Sequence, residues 1–248
     1  MVLGLYYITK GRKSSKGEGT CFAGVEEVVY AYQHGAVDLQ ASISIRVRGA
    51  KGIVKTTVGR VLLFEALPDG ARIEWVNKAM VKKDLVKLIA RICRDCGHEA
   101  AVIALDKIKK LGFGSATRAG ISLSVDDLVI PEKKEGIIKK SRAATEKIDK
   151  LYREGAITNK ERYNNAIQVW ARATQDVADE MISELEQGDK KAVANADKKG
   201  TPFNPVFMML DSGARGSREQ IRQLGGMRGL MVNPSGEIIE SPVIANFK

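Results

Sequence analysis

The sequence predicts an α+β fold in which a mixed region of strands and helices is followed by an antiparallel helical hairpin. Residues 42–48 alternate polar with apolar side chains, which is the period of a half-buried strand. Residues 131–187 repeat apolar side chains at heptad spacing along two charged stretches that a short break separates. Residues 201–248 are rich in glycine and arginine and predict a loop region.

The N-terminal half is expected to begin with strands and loops and to become helical later. Residues 1–60 are interpreted as strand and loop, with a mobile loop over the Lys-, Gly- and Ser-rich stretch 10–19. Apolar residues at steps of three and four predict a helix over 78–96 that Gly97 stops. A further helical stretch from residue 100 is expected to end at the glycines that follow Leu111.

The hairpin is expected to begin at Pro131 and to turn at Gly155–Asn159. Its arm would project roughly 35 Å at the helical rise of about 1.5 Å per residue, and its charged outer faces predict that it protrudes with little of it buried elsewhere. Residues 188–200 are polar and lysine-rich and are interpreted as a linker. The expected seam consists of Ile137, Ser141, Ala144, Ile148 and Leu151 in the first helix, and Tyr163, Ile167, Trp170, Thr174, Val177 and Met181 in the second.

Composition narrows the class of protein without deciding its function. Hydrophobic residues make up 44% of the 248 positions, which is enough for a core, and the net charge of +10 suits a polyanionic partner. The three cysteines are too few for a disulfide framework. The start lacks the basic region of a signal peptide, and no apolar run approaches the roughly 18 residues of a membrane span. We therefore expect a cytoplasmic protein.

Small catalytic and metal-binding motifs are not supported. Cys93 and Cys96 form a lone C-x-x-C beside His98, but a structural zinc site needs four ligands and the only other cysteine, Cys21, is remote. No Gly-x-Ser-x-Gly pattern indicates a serine hydrolase, and no Gly-Lys-Ser/Thr closes a phosphate-binding loop. We expect neither a metal site nor a hydrolase in this chain.

The C-terminal region interleaves arginines with glycines and leaves two interpretations open. Glycines let a backbone approach a ligand closely, and guanidinium groups grip two phosphate oxygens at once. A tight loop whose arginines meet solvent or neighbouring acids fits the pattern equally well. Ser217 and Gln220 have capping-box spacing, which predicts a short helix that ends at Gly225-Gly226. The arginines are Arg215, Arg218, Arg222 and Arg228.

Longer motifs resemble one protein family along nearly the whole chain. Residues 204–217 and 220–231 closely resemble the F-loop of the bacterial RNA polymerase beta-prime subunit. Residues 235–247 resemble the lead-in to the bridge helix of that subunit, and residues 1–7 resemble the segment shortly after its catalytic aspartate loop. Further landmarks of the family occur in the right order at Thr56–Arg60 and Asp126–Pro131.

The resemblance implies an internal segment of the catalytic subunit of a DNA-directed RNA polymerase, a nucleotidyltransferase. It implies that residues 1–130 belong to the pore and secondary channel, 131–200 to the rim helical hairpin with its linker, and 201–248 to the F-loop and the lead-in to the bridge helix. The implied partners are the other polymerase subunits, DNA, RNA, nucleoside triphosphates and Gre-type secondary-channel regulators, with no membrane. Mg²⁺ is implied for the complete enzyme.

The resemblance also assigns roles to individual residues. It places Arg215 near the triphosphate of the incoming nucleotide, with Met209 and Arg222 also close to the substrate. The family's Asn-Ala-Asp-Phe-Asp-Gly-Asp motif, which holds the catalytic magnesium, is absent from this sequence. We therefore expect no catalytic residue and no metal ligand here, and no activity from the segment alone. The implied regulator-docking residues are Glu161, Arg162, Tyr163 and Asn164.

A second interpretation, from a different functional class, remains open on the residues alone. A coiled-coil hairpin followed by a basic tail is also typical of a free-standing interaction module that binds nucleic acid.

Overall fold

A computed structural model describes residues 1–47, 52–194 and 203–248 of the chain. The three strands of its sheet are β1 (Cys21–Phe22), β2 (Ser42–Arg46) and β3 (Ile53–Thr57). The described α-helices are α1 (Val2–Thr9), α2 (Val25–Gln33), α3 (Val58–Glu65), α4 (Lys82–Cys96), α5 (His98–Ala119), α6 (Lys134–Arg153), α7 (Asn159–Ala194), α8 (Pro205–Ser212) and α9 (Arg218–Ile221). A π-helical turn over Arg222–Gly226 continues α9.

The chain divides into two compact units, each built from two stretches of sequence. The first unit consists of residues 1–123 and 189–215, and the second of residues 124–188 and 216–248. The α+β fold class is confirmed, because the first unit combines a small sheet with helices. The three functional regions that the resemblance implies remain a prediction.

The sheet of the first unit is short and mixed. β1 pairs in parallel with β2, and β2 pairs antiparallel with β3, with Ile43 opposite Thr56. The alternation that predicted β2 is confirmed, since Ile43 and Ile45 point into the core between exposed or half-buried neighbours. The predicted strand reached residue 48, which lies outside the described residues. The loop over 10–19 is observed, and Gly19 fastens it to β2 through its N–H to the Ser42 carbonyl.

Helix α4 ends at Cys96 as the sequence predicts, but it begins at Lys82 rather than at residue 78. Leu85, Leu88 and Ile92 recur at steps of three and four and are all buried in the core that α4 shares with α1, α3 and α5. The helix ends at Gly97, whose φ of +87° is costly for a residue that carries a Cβ.

The expectation of strand and loop over residues 1–60 is wrong for two segments, which form α1 and α2. Helix α1 is apolar nearly all round and is buried on several sides, so it has no polar face to produce a helical period. Helix α2 buries only Val28, which leaves too weak a pattern to detect. Residues 58–60, the last of this stretch, also lie in a helix, α3.

The expected end of α5 after Leu111 is also wrong, because the helix continues to Ala119. A Cβ on Gly4 of α1 would lie 2.0 Å from the carbonyl oxygen of Gly112 in α5, so the two helices touch backbone to backbone. Gly112 therefore serves close helix packing, and the helix ends instead at Gly120, which has a left-handed conformation.

The antiparallel hairpin of α6 and α7 is confirmed in the second unit, although its first helix begins at Lys134 rather than at Pro131. The Lys133 ammonium lies 2.7 Å from the Glu180 carboxylate, and the Asp149 carboxylate lies 3.6 Å from the Arg162 guanidinium. The start of α6 therefore lies beside a late part of α7, and the end of α6 lies beside the start of α7. Every expected seam residue of α7 is buried or half-buried. The seam of α6 is wrong at Leu151, which is exposed at the end of the helix.

The linker expected over residues 188–200 is wrong in its first part. Helix α7 continues to Ala194, because a polar, lysine-rich composition is compatible with a helix whenever one of its faces finds a partner. Residues 195–200 lie outside the described residues. Among the residues that the structure describes, no helix is long and apolar enough to cross a membrane.

Candidate functional site

Residues 205–212 form helix α8 rather than part of the predicted loop region, and this helix carries Met209 and leads to Arg215. The Asn204 side chain caps its first turn by accepting the N–H of Val206 at 2.9 Å and of Phe207 at 3.1 Å, and Pro205 occupies the first helical position. Val206, Phe207 and Met208 are buried, which leaves Met209 half-buried at the edge of the helix.

Arg215 lies exposed in the loop after α8. Gly213 ends the helix with a φ of +70°, and Gly216 follows Arg215 with a φ of +85°. Within the described part of the chain, no hydrogen bond or ion pair is observed for the Arg215 guanidinium. The side chain is therefore available to a partner, as the interpretation of a substrate contact requires.

Arg222 has a different environment, because its side chain is 10% exposed and hydrogen-bonded to the chain itself. Its Nη1 donates to the carbonyl oxygens of Met227 and Arg228, both at 3.0 Å, and its Nη2 donates to Glu219 at 2.5 Å. A planar guanidinium can reach three acceptors at once, which an ammonium cannot do with the same geometry. Arg222 thus holds the loop at Met227 and Arg228 in place.

The predicted capping box precedes Arg222 and is confirmed. The Ser217 hydroxyl accepts the Gln220 N–H at 3.2 Å, and the Gln220 side chain accepts the Ser217 N–H at 3.0 Å. These bonds satisfy two of the backbone donors that a helix start leaves open. The short helix ends at Gly225-Gly226, as predicted.

Gly225 and Gly226 at the end of this helix, and Gly229 after it, lie close to α7. A Cβ on Gly225 would lie 2.9 Å from the Val129 carbonyl and 3.2 Å from the Met181 sulfur. A Cβ on Gly226 would lie 3.3 Å from Val177, and one on Gly229 would lie 3.1 Å from Thr174. In the second unit, these glycines therefore bring the backbone close to α7; an approach to a ligand remains a hypothesis.

Residues 238–240 extend this contact to the first turn of α7. Arg162 donates from Nη1 and Nη2 to the two carboxylate oxygens of Glu240, each at 2.7 Å. Tyr163 donates its hydroxyl to the Ile238 carbonyl at 2.9 Å. The expectation that little of the hairpin packs against other parts of the chain is therefore wrong for this side of α7.

The four expected docking residues differ in how they are engaged. Asn164 is exposed, whereas Arg162 and Tyr163 are half-buried and bound to residues 238–240. The Glu161 carboxylate accepts both the N–H and the hydroxyl of Thr158 at 2.8 Å, which caps α7. These bonds hold the pKa of Glu161 below its ordinary value, the backbone N–H contributing most.

Sequence reasoning missed Glu240 and Glu219, the acids that receive Arg162 and Arg222. Glu219 lies three residues before Arg222 on the same helical face, and this spacing could have identified it. Glu240 is 78 positions from Arg162, and no local pattern connects the two.

Tyr6 of α1 supports α8 from within the first unit. Its hydroxyl donates to Asp211 at 2.5 Å, and its ring belongs to a buried cluster with Phe203 and Met208. Burial raises the pKa of Tyr6 well above its ordinary value, and the bond to the Asp211 carboxylate raises it further.

The carboxylates of the described residues do not fit a metal site. No group of three or more His, Cys, Asp or Glu side chains that could hold a metal ion occurs within residues 1–47, 52–194 and 203–248. The Asp127 carboxylate accepts the Ser124 N–H at 2.7 Å in a capping box, and Asp149 lies beside Arg162. Cys21, Cys93 and Cys96 are free thiols.

Comparison with known proteins shows similarity along the whole chain. Residues 1–128 match the family model described as RNA polymerase Rpb1, domain 3, and residues 157–248 match that described as RNA polymerase Rpb1, domain 4. The chain is 48% identical over 250 residues to the DNA-directed RNA polymerase subunit beta' of Thermodesulfovibrio yellowstonii and 47% identical over 248 residues to that of a Sulfurihydrogenibium species.

Both alignments include 100% of this chain but only 18% and 15% of the respective relatives. The chain therefore spans less than a fifth of the length of these curated relatives.

Proposed function

Since the chain belongs to the RNA polymerase Rpb1 family, we propose that it acts as an internal segment of the catalytic beta' subunit of a DNA-directed RNA polymerase. The observation that carries this proposal is the similarity over 100% of the chain to two beta' subunits, with two consecutive Rpb1 domains matched in order. In this role the chain supports RNA synthesis in the cytoplasm together with the other polymerase subunits, DNA and RNA.

The proposed contribution to catalysis is substrate positioning. Arg215 is an exposed guanidinium between two glycines, and it can bind phosphate oxygens of a nucleoside triphosphate in bidentate fashion. Met209 lies on the helix that leads to it. Nucleotidyl transfer also needs Mg²⁺ in the assembled enzyme, but the described carboxylates do not form a site for it. In this proposal, the chain positions the nucleoside triphosphate and supplies the positive charge of Arg215.

Single-nucleotide addition by a polymerase that carries this segment tests the proposed role of Arg215. Arg215→Ala should lower kcat/KM for nucleotide addition roughly ten- to a hundredfold, the usual consequence of losing a hydrogen bond to a charged group. Arg222→Ala is the control for folding, because Arg222 bonds to the chain itself. If Arg215→Ala added nucleotides at the wild-type rate and Arg222→Ala did not, Arg222 rather than Arg215 would be the substrate contact.

We also propose that the turn of the hairpin is the docking site for Gre-type regulators. Glu161 and Asn164 are exposed there. Charge reversal at Glu161 would break the cap of α7, so Glu161→Gln is the better variant because glutamine also accepts the capping bond. Glu161→Gln should weaken regulator binding with no loss of helical circular dichroism. Unchanged affinity in Glu161→Gln and Asn164→Ala would contradict this docking site.

Purification from the source cell tests assembly itself. A tagged chain should recover the other polymerase subunits. Recovery of nucleic acid alone would favour a free-standing interaction module, the second interpretation that the sequence left open.

A further inference from the structure

We propose that Arg162 and Glu240 form a latch that positions residues 229–243 against the turn of the hairpin, so that movement of the turn and movement of this segment are coupled. Arg162 would be a positioning residue rather than a catalytic one. Only the consequence for transcription rests on the proposed function, because the latch itself lies within the second unit of this chain.

The geometry of the pair separates it from ordinary surface ion pairs. Two parallel N–H···O bonds of 2.7 Å join the guanidinium to the carboxylate, and the side chains of Arg162 and Glu240 are 19% and 37% exposed. Exposed pairs with a single contact contribute little to stability, whereas bidentate pairs within a network of charges hold a defined geometry. The Arg162–Glu240 pair belongs to the second kind.

Arg162 connects three parts of the chain. Besides Glu240, it lies 3.6 Å from Asp149 and 5.6 Å from the ring centre of Tyr152, both near the end of α6. Its Nε donates to Asn159 at the start of α7 at 3.2 Å. One side chain therefore joins both helices that flank the turn to the segment that contains Glu240.

The backbone hydrogen bonds of the segment lie mostly within the segment itself, such as Asn233 N–H to the Glu237 carbonyl and Ile239 N–H to the Met231 carbonyl, both at 2.8 Å, so they do not fix its position on the hairpin. Within the described residues it contains two isolated β-bridges, Gly229 with Val243 and Val232 with Ile238, and no helix or continuous strand. Arg222 holds the chain just before the segment, at Met227 and Arg228. Arg162 and Tyr163 hold it near its other end, so the loss of this contact should loosen the part between.

The chemistry of the latch also indicates how a partner could act on it. A protein that binds at the turn and presents a carboxylate to Arg162 would compete with Glu240 for the guanidinium. Release of Glu240 would then loosen residues 229–243. The partner expected here is thus one with an acidic side chain at its contact surface.

Hydrogen–deuterium exchange on the full chain, and on polymerase that carries it, tests the latch. Arg162→Gln and Glu240→Gln should each speed amide exchange in residues 229–243 roughly tenfold. The swapped pair, Arg162→Glu with Glu240→Arg, should restore slow exchange. The matched control is Lys133→Gln, which removes the exposed ion pair with Glu180 in the same hairpin and should leave this exchange unchanged.

Each outcome decides the proposal. Unchanged exchange in both single variants overturns the latch, and so does failure of the swapped pair to restore it, since Asp149 and Tyr152 would then be the important contacts of Arg162. A nucleotide-addition assay completes the test: the single variants should lower kcat more than they change KM. If the variants changed amide exchange in residues 229–243 but added nucleotides at the wild-type rate, the latch would stand and its consequence for transcription would be overturned.

Discussion

The ammonium group of Lys10 lies 2.8 and 2.7 Å from the two carboxylate oxygens of Asp189, and both residues are buried. The rings of Tyr6, Phe203 and Phe207 surround the same ammonium group, with ring centres 5.3, 4.5 and 5.5 Å away. A buried charge of this kind is tolerated because the carboxylate and the faces of the aromatic rings replace its lost hydration.

Lys10→Met should destabilise the chain by about 3–5 kcal/mol, because it leaves the Asp189 carboxylate buried without its partner. The double variant Lys10→Met with Asp189→Leu should recover most of this loss, since an apolar pair needs no hydration. Denaturant unfolding of the three proteins measures both effects. Lys109→Met is the control, because its pair with Asp106 is exposed and should change the free energy of unfolding little. A double variant as unstable as the single one would contradict this account.

Gly4→Ala should destabilise the first unit by at least about 1–3 kcal/mol. The added methyl group would lie 2.0 Å from the Gly112 carbonyl oxygen, and the backbone of α5 cannot move aside without separating the two helices. Gly136→Ala in α6 is the matched control, because a Cβ there meets nothing within 4 Å. It should raise the free energy of unfolding by about 0.5–1 kcal/mol. Equal effects of the two substitutions would argue against close packing of α1 on α5.

Arg222→Ala should destabilise the second unit by about 2–3 kcal/mol, because the carbonyl oxygens of Met227 and Arg228 lose their donor. Arg222→Lys should recover only part of this loss, since a lysine ammonium cannot donate to the two carbonyl oxygens and to Glu219 with the geometry of the planar guanidinium. Arg215→Ala should remain within about 0.5 kcal/mol of the wild type, because Arg215 is exposed. Thermal unfolding of the three variants provides the comparison, and a large loss in Arg215→Ala would show that its guanidinium has a structural role.

The Arg162–Glu240 latch should open in acid. Arg162 holds the pKa of Glu240 below its ordinary value of 4.5, mainly through the side-chain hydrogen bond. A carboxyl group with a lowered pKa contributes stability that is complete above its ordinary pKa and is lost as the pH falls through its pKa in the folded chain.

Amide exchange of residues 229–243, corrected for its intrinsic pH dependence, should therefore accelerate only when the pH falls below 4.5. In Glu240→Gln this step should disappear, because the glutamine does not titrate. A step of the same size in the variant would assign the acid transition to another carboxyl group.

Much of the local structure could be predicted because local patterns specify it. The alternation of residues 42–48 predicted β2, the steps between Leu85 and Ile92 predicted α4, and the spacing of Ser217 and Gln220 predicted the capping box. Each of these patterns acts within a few residues of chain. The long motifs also identified the family, which the comparisons confirm.

Predictions failed where the role of a residue depends on a distant partner. The sequence predicts a helix end at Gly112 and a strand or loop for α1, because the packing of α1 against α5 leaves no trace in either segment alone. The same limit applied to the hairpin, whose charged surface predicted a protruding arm, although Gly225, Gly226, Gly229 and residues 238–240 contact one side of α7.

By itself, the sequence determined the family, the fold class, the hairpin and the helix ends at Gly97 and at Gly225-Gly226, since periodicity, caps and glycine conformation are local properties of the chain. Only the tertiary structure decided what the arginines do: Arg222 and Arg162 bond to the chain itself, whereas Arg215 is exposed. The physical reason is that a guanidinium binds a backbone carbonyl, a carboxylate or a phosphate with the same geometry. Which acceptor each arginine meets therefore depends on how segments far apart in the sequence pack together.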